Sequence, residues 1–187
     1  MNTLLIVITC SLLAGLAMAL GAVLAYLEKI DNQWIEDELR HGITAFGGGA
    51  LLSAVALVLV PEGIANLKPV SASIWFLSGV VCFMLLDIFL KKINTPASQL
   101  AAMLSDFIPE SIALGAAFAT GSSNAYLLAA LIALQNLPEG FSAYRELNST
   151  AAYKPKKIIT VFALMAILGP ISGVSGYFWL SEFPQAI

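Results

Sequence analysis

Six long apolar stretches alternate with short polar ones along the 187 residues. They run over about 3–27, 42–60, 70–90, 98–120, 124–144 and 157–180, each roughly 19–25 residues. A helix rising about 1.5 Å per residue needs about 20 such residues to cross a hydrocarbon core of ~30 Å. The pattern predicts an all-α polytopic membrane protein: one transmembrane domain over 1–187, built as a bundle of six transmembrane helices. The connections after the second and fourth stretches are short, so 42–60 with 70–90, and 98–120 with 124–144, should form antiparallel hairpins. The polar run EKIDNQWIEDELRH, from Glu28 to His41, reads as an acidic loop.

Composition supports this class. Hydrophobic residues make up 59% of the chain and charged ones 11%, where soluble domains average about 45–50% and about 25%. A net charge of −3, with no basic patch, excludes a nucleic-acid partner; the partners implied are the lipid bilayer and whatever the bundle binds. Cys10 and Cys82 sit in different segments without CxxC spacing and read as buried free thiols. The opening MNTLLIVITC has no Lys or Arg before its apolar run, so the first stretch reads as a retained helix instead of a cleaved signal peptide.

Charge also orients the bundle. Lys29, Arg40, Lys91, Lys92, Arg145, Lys154, Lys156 and Lys157 all fall in the connections joining segments 1–2, 3–4 and 5–6. Only Lys68 of the nine basic residues lies at the other end. The positive-inside rule then places those three connections in the cytoplasm and the N-terminus outside a multi-pass protein of the cell membrane. Small residues mark close helix packing: Gly47, Gly48 and Gly49 in the second segment, Gly115 and Ala119 in the fourth, Gly169 and Gly173 in the sixth.

Candidate chemistry lies in two similar polar stretches inside apolar helices, SDFIPESIALG and QNLPEGFSAY. Asp106 and Glu110 are four apart and share a helix face, as do Gln135 and Glu139, with Asn136 alongside. The fourth helix reaches Glu110 after about twelve residues and the fifth reaches Glu139 after about fifteen, which puts both near mid-membrane. A charged carboxylate at that depth costs at least ~2.5–3.5 kcal/mol unless it faces a partner, water, a proton or a cation. Pro109 and Pro138 each lack an amide proton and crowd the carbonyl one turn earlier, that of Ser105 or Leu134, freeing it as an oxygen donor. Three readings compete: acids hydrogen-bonded between helices, a proton relay, and a divalent-cation site. Four oxygen side chains in two i, i+4 pairs favour the last.

These stretches resemble the signature of the ZIP (Zrt/Irt-like) divalent metal transporters, whose fourth and fifth helices carry paired HNxPEG-type motifs. The counterparts here are DFIPES (106–111) and QNLPEG (135–140). LVPEG at the end of the second segment stands where that family often has a Pro-Glu pair, and LGPISG in the sixth where it often has EPLG. The resemblance implies movement of a divalent metal (zinc, iron or manganese) toward the cytoplasm as substrate, no prosthetic group, and admits a homodimer. It also implies a mid-membrane metal site from the first, second and fifth motif positions. Phe107 stands at the second position of the first motif and cannot coordinate, and Gly169 stands at the family's glutamate position. The implied set therefore reduces to one site, of Asp106, Glu110, Gln135 and Glu139, with Asn136 accessory. That set is all oxygen, which suits manganese, ferrous iron or magnesium better than zinc. ZIP proteins usually have eight helices; the chain stops at SEFPQAI, where a connection to a seventh would begin, so the last two are expected to be missing through truncation.

Other residues carry blander readings. Glu62 is an interfacial residue or an entrance ligand. Asp87 should pair with Lys91 one turn on. His41, the one histidine, lies at the cytoplasmic interface beside Arg40. Trp75 and Trp179 read as interface anchors. No HExxH motif or buried Ser–His pair exists, so the chain is not expected to be an enzyme. A non-transporting scaffold or metal sensor is the alternative function.

Overall fold

The computed structural model describes residues 2–28, 33–93, 95–149 and 153–179. Lys29 and the other residues of 29–32, and the tail 180–187 with its SEFPQAI end, lie outside them. Six helices account for nearly all of the described chain: α1 (Thr3–Leu27), α2 (33–66), α3 (Pro69–Ile93), α4 (Pro96–Ala119), α5 (Ala125–Ser149) and α6 (Pro155–Trp179). No strand occurs among the described residues. Among the described residues, five stretches are long and apolar enough to cross a membrane: Thr3–Leu27, Asp37–Ala65, Pro69–Ile93, Leu100–Ala119 and Pro155–Trp179. This is the build of an integral membrane protein. α5 is as long as the others but falls short of them in hydropathy, because Gln135, Asn136 and Glu139 interrupt its apolar run; it is nonetheless among the most buried helices.

Several helices depart from the hydropathy pattern, α2 running on to Asn66 and α5 to Ser149. α2 begins at Gln33, well inside the acidic stretch read as a loop. Glu, Leu and Arg are good helix formers, so the helix continues into water past the point where apolar character ends. α2 also contains a π-helical segment, Val55–Leu59, before resuming as Val60–Asn66. α6 is interrupted into α6a (Pro155–Met165) and α6b (Leu168–Trp179). Pro170 supplies the cause: it cannot donate to the Ala166 carbonyl and its ring crowds that group. The Ala166 carbonyl instead accepts from the Gly169 amide at 3.2 Å.

α1 sits at the centre, packed against α5, both parts of α6 and α4, while α4 also lies along α6b. The crossings rest on glycine, as lipid-embedded packing requires when helices gain little from apolar burial. A Cβ on Gly140 of α5 would stand 2.1 Å from the Met18 carbonyl oxygen of α1, and one on Gly21 2.0 Å from the Leu137 carbonyl oxygen. Gly115 and Gly176 serve the α4–α6b crossing in the same way, against the carbonyls of Gly173 and Ile112. Of the three consecutive glycines in α2, only Gly47 meets a neighbour; Gly48 and Gly49 face open space.

α2 lies along α5, and α3 buries no residue at all, touching chiefly α4. The thiols follow this layout. Cys10 is half-buried on α1, and Cys82, expected to be buried, is exposed because it belongs to α3.

Candidate functional site

The site is framed by how α4 begins and ends. Thr95 and Ser98 cap its start reciprocally, the Ser98 amide donating to Thr95 Oγ1 at 3.3 Å and the Thr95 amide to Ser98 Oγ at 3.0 Å. At its end Gly121 adopts φ 71°, and the Ser122 amide donates to the Ala117 carbonyl at 2.9 Å, a Schellman closure that needs a residue tolerant of left-handed backbone. The chain then turns directly into α5. The first motif, on α4, is thereby set beside the second, on α5.

Glu110 and Gln135 meet. The Gln135 amide Nε2 donates to Glu110 Oε1. The other oxygen of each group, Glu110 Oε2 and Gln135 Oε1, is buried and has no hydrogen-bond partner among the described residues. Buried polar atoms are seldom left so, and each costs about 1–3 kcal/mol. Two such oxygens on a contacting carboxyl and amide at mid-helix leave acceptor capacity that a cation or a donor would satisfy. Glu139 is half-buried, within electrostatic reach of both Asp106 and Glu110. Asp106 is exposed and interacts with Glu110 from one turn away.

Asn136 points elsewhere. It is buried, and its Nδ2 donates to the Ala14 carbonyl of α1 at 2.9 Å, while its Oδ1 has no partner among the described residues. Neighbours along a helix are turned about 100° apart, so Gln135 serves the α4 side of α5 and Asn136 the α1 side. Ser111, last residue of the first motif, is a further buried group: its hydroxyl oxygen also has no partner among the described residues. It stands where the second motif has Gly140, and a polar residue in place of the motif's glycine was the signal available for it.

Phe107 and Gly169 explain one another. Phe107 is fully buried, and a Cβ on either Gly15 of α1 or Gly169 of α6b would fall 2.7 Å from the end of its ring. The ring occupies the space among α1, α4 and α6b as packing, with glycine on both sides to admit it.

The prolines occupy unlike settings. Pro138 is buried against Gly47 of α2, whereas Pro109 is exposed, and both helices run through without a break. Among the described residues, no three His, Cys, Asp or Glu side chains stand close enough together to hold a metal ion. What the fold assembles is one carboxylate joined to one amide, with two further carboxylates in the same field.

Away from this centre, Asp87 pairs with Lys91 at 2.8 Å on the exposed end of α3. Arg145 reaches Glu28 at 2.8 Å, binding the end of α1 to α5, and its guanidinium lies 5.8 Å from the centre of the Phe141 ring. His41, Trp75 and Trp179 are exposed. At the opposite end from the basic connections, the Ser122 hydroxyl donates to Glu62 Oε1.

No protein-family model and no curated protein sequence matches the chain.

Proposed function

We propose that the protein is a divalent metal cation transporter whose ion passes through a mid-membrane site on α4 and α5. The observation that carries this reading is the Glu110–Gln135 pair, with its two buried, unpartnered oxygens inside a membrane-length helical bundle. A carboxylate in such surroundings is costly, and residues of this kind mark ion paths more often than structural joints. Glu110 supplies the first charge and Gln135 a neutral oxygen. Glu139 and Asp106, already within electrostatic reach, supply further charge as the helices close on the ion. Pro109 and Pro138 weaken the backbone ladder at that level, which gives both helices room to adjust.

The donors are oxygen throughout, so ferrous iron and manganese fit at least as well as zinc. Phe107, packed between Gly15 and Gly169, supports a single ion rather than a pair, because neither Phe107 nor Gly169 can coordinate at the positions where the ZIP signature implies two further ligands. In this reading the basic connections face the cytoplasm, the N-terminus is outside, and the ion moves inward.

The test is uptake of zinc, ferrous iron and manganese into proteoliposomes, comparing the protein with its Glu110→Ala/Glu139→Ala variant. The expected result is time-dependent uptake of at least one metal, reduced more than about tenfold in the variant, as loss of two charges from a mid-membrane site implies. Undiminished uptake by the variant, or none by correctly inserted protein, overturns the reading and leaves a scaffold or sensor.

A further inference from the structure

We propose that α2 is a jointed arm: its last segment, Val60–Asn66, hinges at the π-helical turn Val55–Leu59 and is latched shut by the contact between Glu62 and Ser122. The role of that latch as a gate over the ion site rests on the transport reading above; the hinge and latch themselves rest on geometry alone.

The joint is visible in the backbone. At its end the Val60 amide bonds to the carbonyl of Val55, five residues back, instead of the usual four. Such widened turns break the regular ladder, can kink a helix and are frequent at functional sites. The two arms of α2 are held differently. Before the joint, Ala50 and Ala54 are buried and Gly47 sits against Pro138, where an added Cβ would be 2.9 Å from the ring. That arm is clamped to α5. Beyond the joint, no residue from Pro61 to Ala65 is buried, and Ile64 is 57% exposed. This second arm leads through Leu67 and Lys68 into α3, which itself buries nothing.

Against this loosely packed arm stands a rigid partner. Ser122 belongs to the closure that ends α4: its amide donates to the Ala117 carbonyl at 2.9 Å and its carbonyl accepts from the Ala125 amide at 3.3 Å. Its hydroxyl oxygen also accepts from the Asn124 amide at 3.2 Å, which leaves the hydroxyl hydrogen for Glu62. The Glu62 carboxylate, in the first turn beyond the joint, is therefore joined to the fixed corner between the two helices that carry Glu110 and Gln135. A cation reaching Glu62 competes with the Ser122 hydroxyl for the same oxygen, so arrival of the ion would release the arm.

Spin labels measure this directly. In a Cys10→Ala/Cys82→Ala background in lipid nanodiscs, one label pair at Ile64→Cys and Leu127→Cys spans the latch. A second pair at Leu52→Cys and Leu134→Cys spans the clamped arm. Glu62→Ala and Ser122→Ala should each widen the first distance distribution about twofold, toward hinge amplitudes, and leave the second unchanged. No widening in either variant, or widening in only one of them, shows that the Glu62–Ser122 contact is not the latch. Equal widening of both distances shows that α2 moves as one rod without a joint. A protein that transports no metal but shows the expected release keeps the hinge and loses the gate.

Discussion

The side-chain amide of Gln135 on α5 donates to one carboxylate oxygen of Glu110 on α4, and the remaining oxygen of each group is buried without a partner among the described residues. The pair is thus half satisfied, and its energetics should be asymmetric. Gln135→Leu strips Glu110 of its donor and should cost about 1.5–3 kcal/mol, since the carboxylate stays behind unpaired. Glu110→Leu/Gln135→Leu removes both polar groups and should cost clearly less than the sum of the singles. Reversible unfolding in mixed micelles, run as a double-mutant cycle, checks this; additive singles would show that the two side chains do not depend on each other.

Phe107 invites a different substitution. Its ring is enclosed between Gly15 and Gly169, neither of which has a side chain to move inward. Phe107→Ala should leave a cavity that cannot collapse and cost about 3–5 kcal/mol. Phe107→Leu, which keeps most of the volume, should cost less than half as much. The same unfolding measurement ranks them, and equal losses would mean that the aromatic shape matters rather than the filled space.

The number of helices was legible because burial in lipid demands length and apolarity, both of which can be read along a line; the expected packing of 42–60 against 70–90 was not, since α2 lies along α5 and α3 touches chiefly α4. The ends of α2 were not, since a hydropathy pattern stops at the membrane surface while the helix continues through polar residues such as Asp37 and Glu38. The proline rule applied to Pro109 and Pro138 holds equally for Pro170, yet only Pro170 interrupts its helix; neighbours decide that, and neighbours are not in the sequence. Equal spacing put Glu110 and Gln135 in one candidate set, and they do touch. It could not separate Gln135 from Asn136, whose partner Ala14 lies on a helix far away in the chain. Ser122 carried no signal, because nothing local ties a loop serine to a glutamate two helices earlier.

The glycines give a paired test of close packing. Gly140→Ala places a Cβ 2.1 Å from the Met18 carbonyl oxygen, a backbone atom that cannot rotate aside, so α1 and α5 must separate. A loss of about 1–3 kcal/mol is expected. Gly48→Ala meets nothing within 4 Å and replaces a poor helix former by the best one, so it should raise stability by up to about 1 kcal/mol. Thermal unfolding of the two variants beside the parent protein shows the opposite signs, and a loss for Gly48→Ala would place an unseen neighbour on that face.

The two ion pairs should differ although both measure 2.8 Å. Lys91 and Asp87 have side chains 75% and 60% exposed and lie on one helix. Breaking such a pair typically costs no more than about 0.5 kcal/mol and is masked by salt. Arg145 and Glu28 are only 23% and 13% exposed and join different helices, so water screens them less and each leaves a poorly solvated charge if its partner goes. Arg145→Ala should cost about 1.5–3 kcal/mol, well above the cost of Lys91→Ala. Its loss should also change little between low and high salt, because ions reach the site poorly. Arg145→Ala/Glu28→Ala should recover part of that cost, since no charge is then left behind. Unfolding at two salt concentrations checks all three variants; a salt-sensitive loss of the same small size as that of Lys91→Ala would mean that Arg145 does not hold α1 to α5.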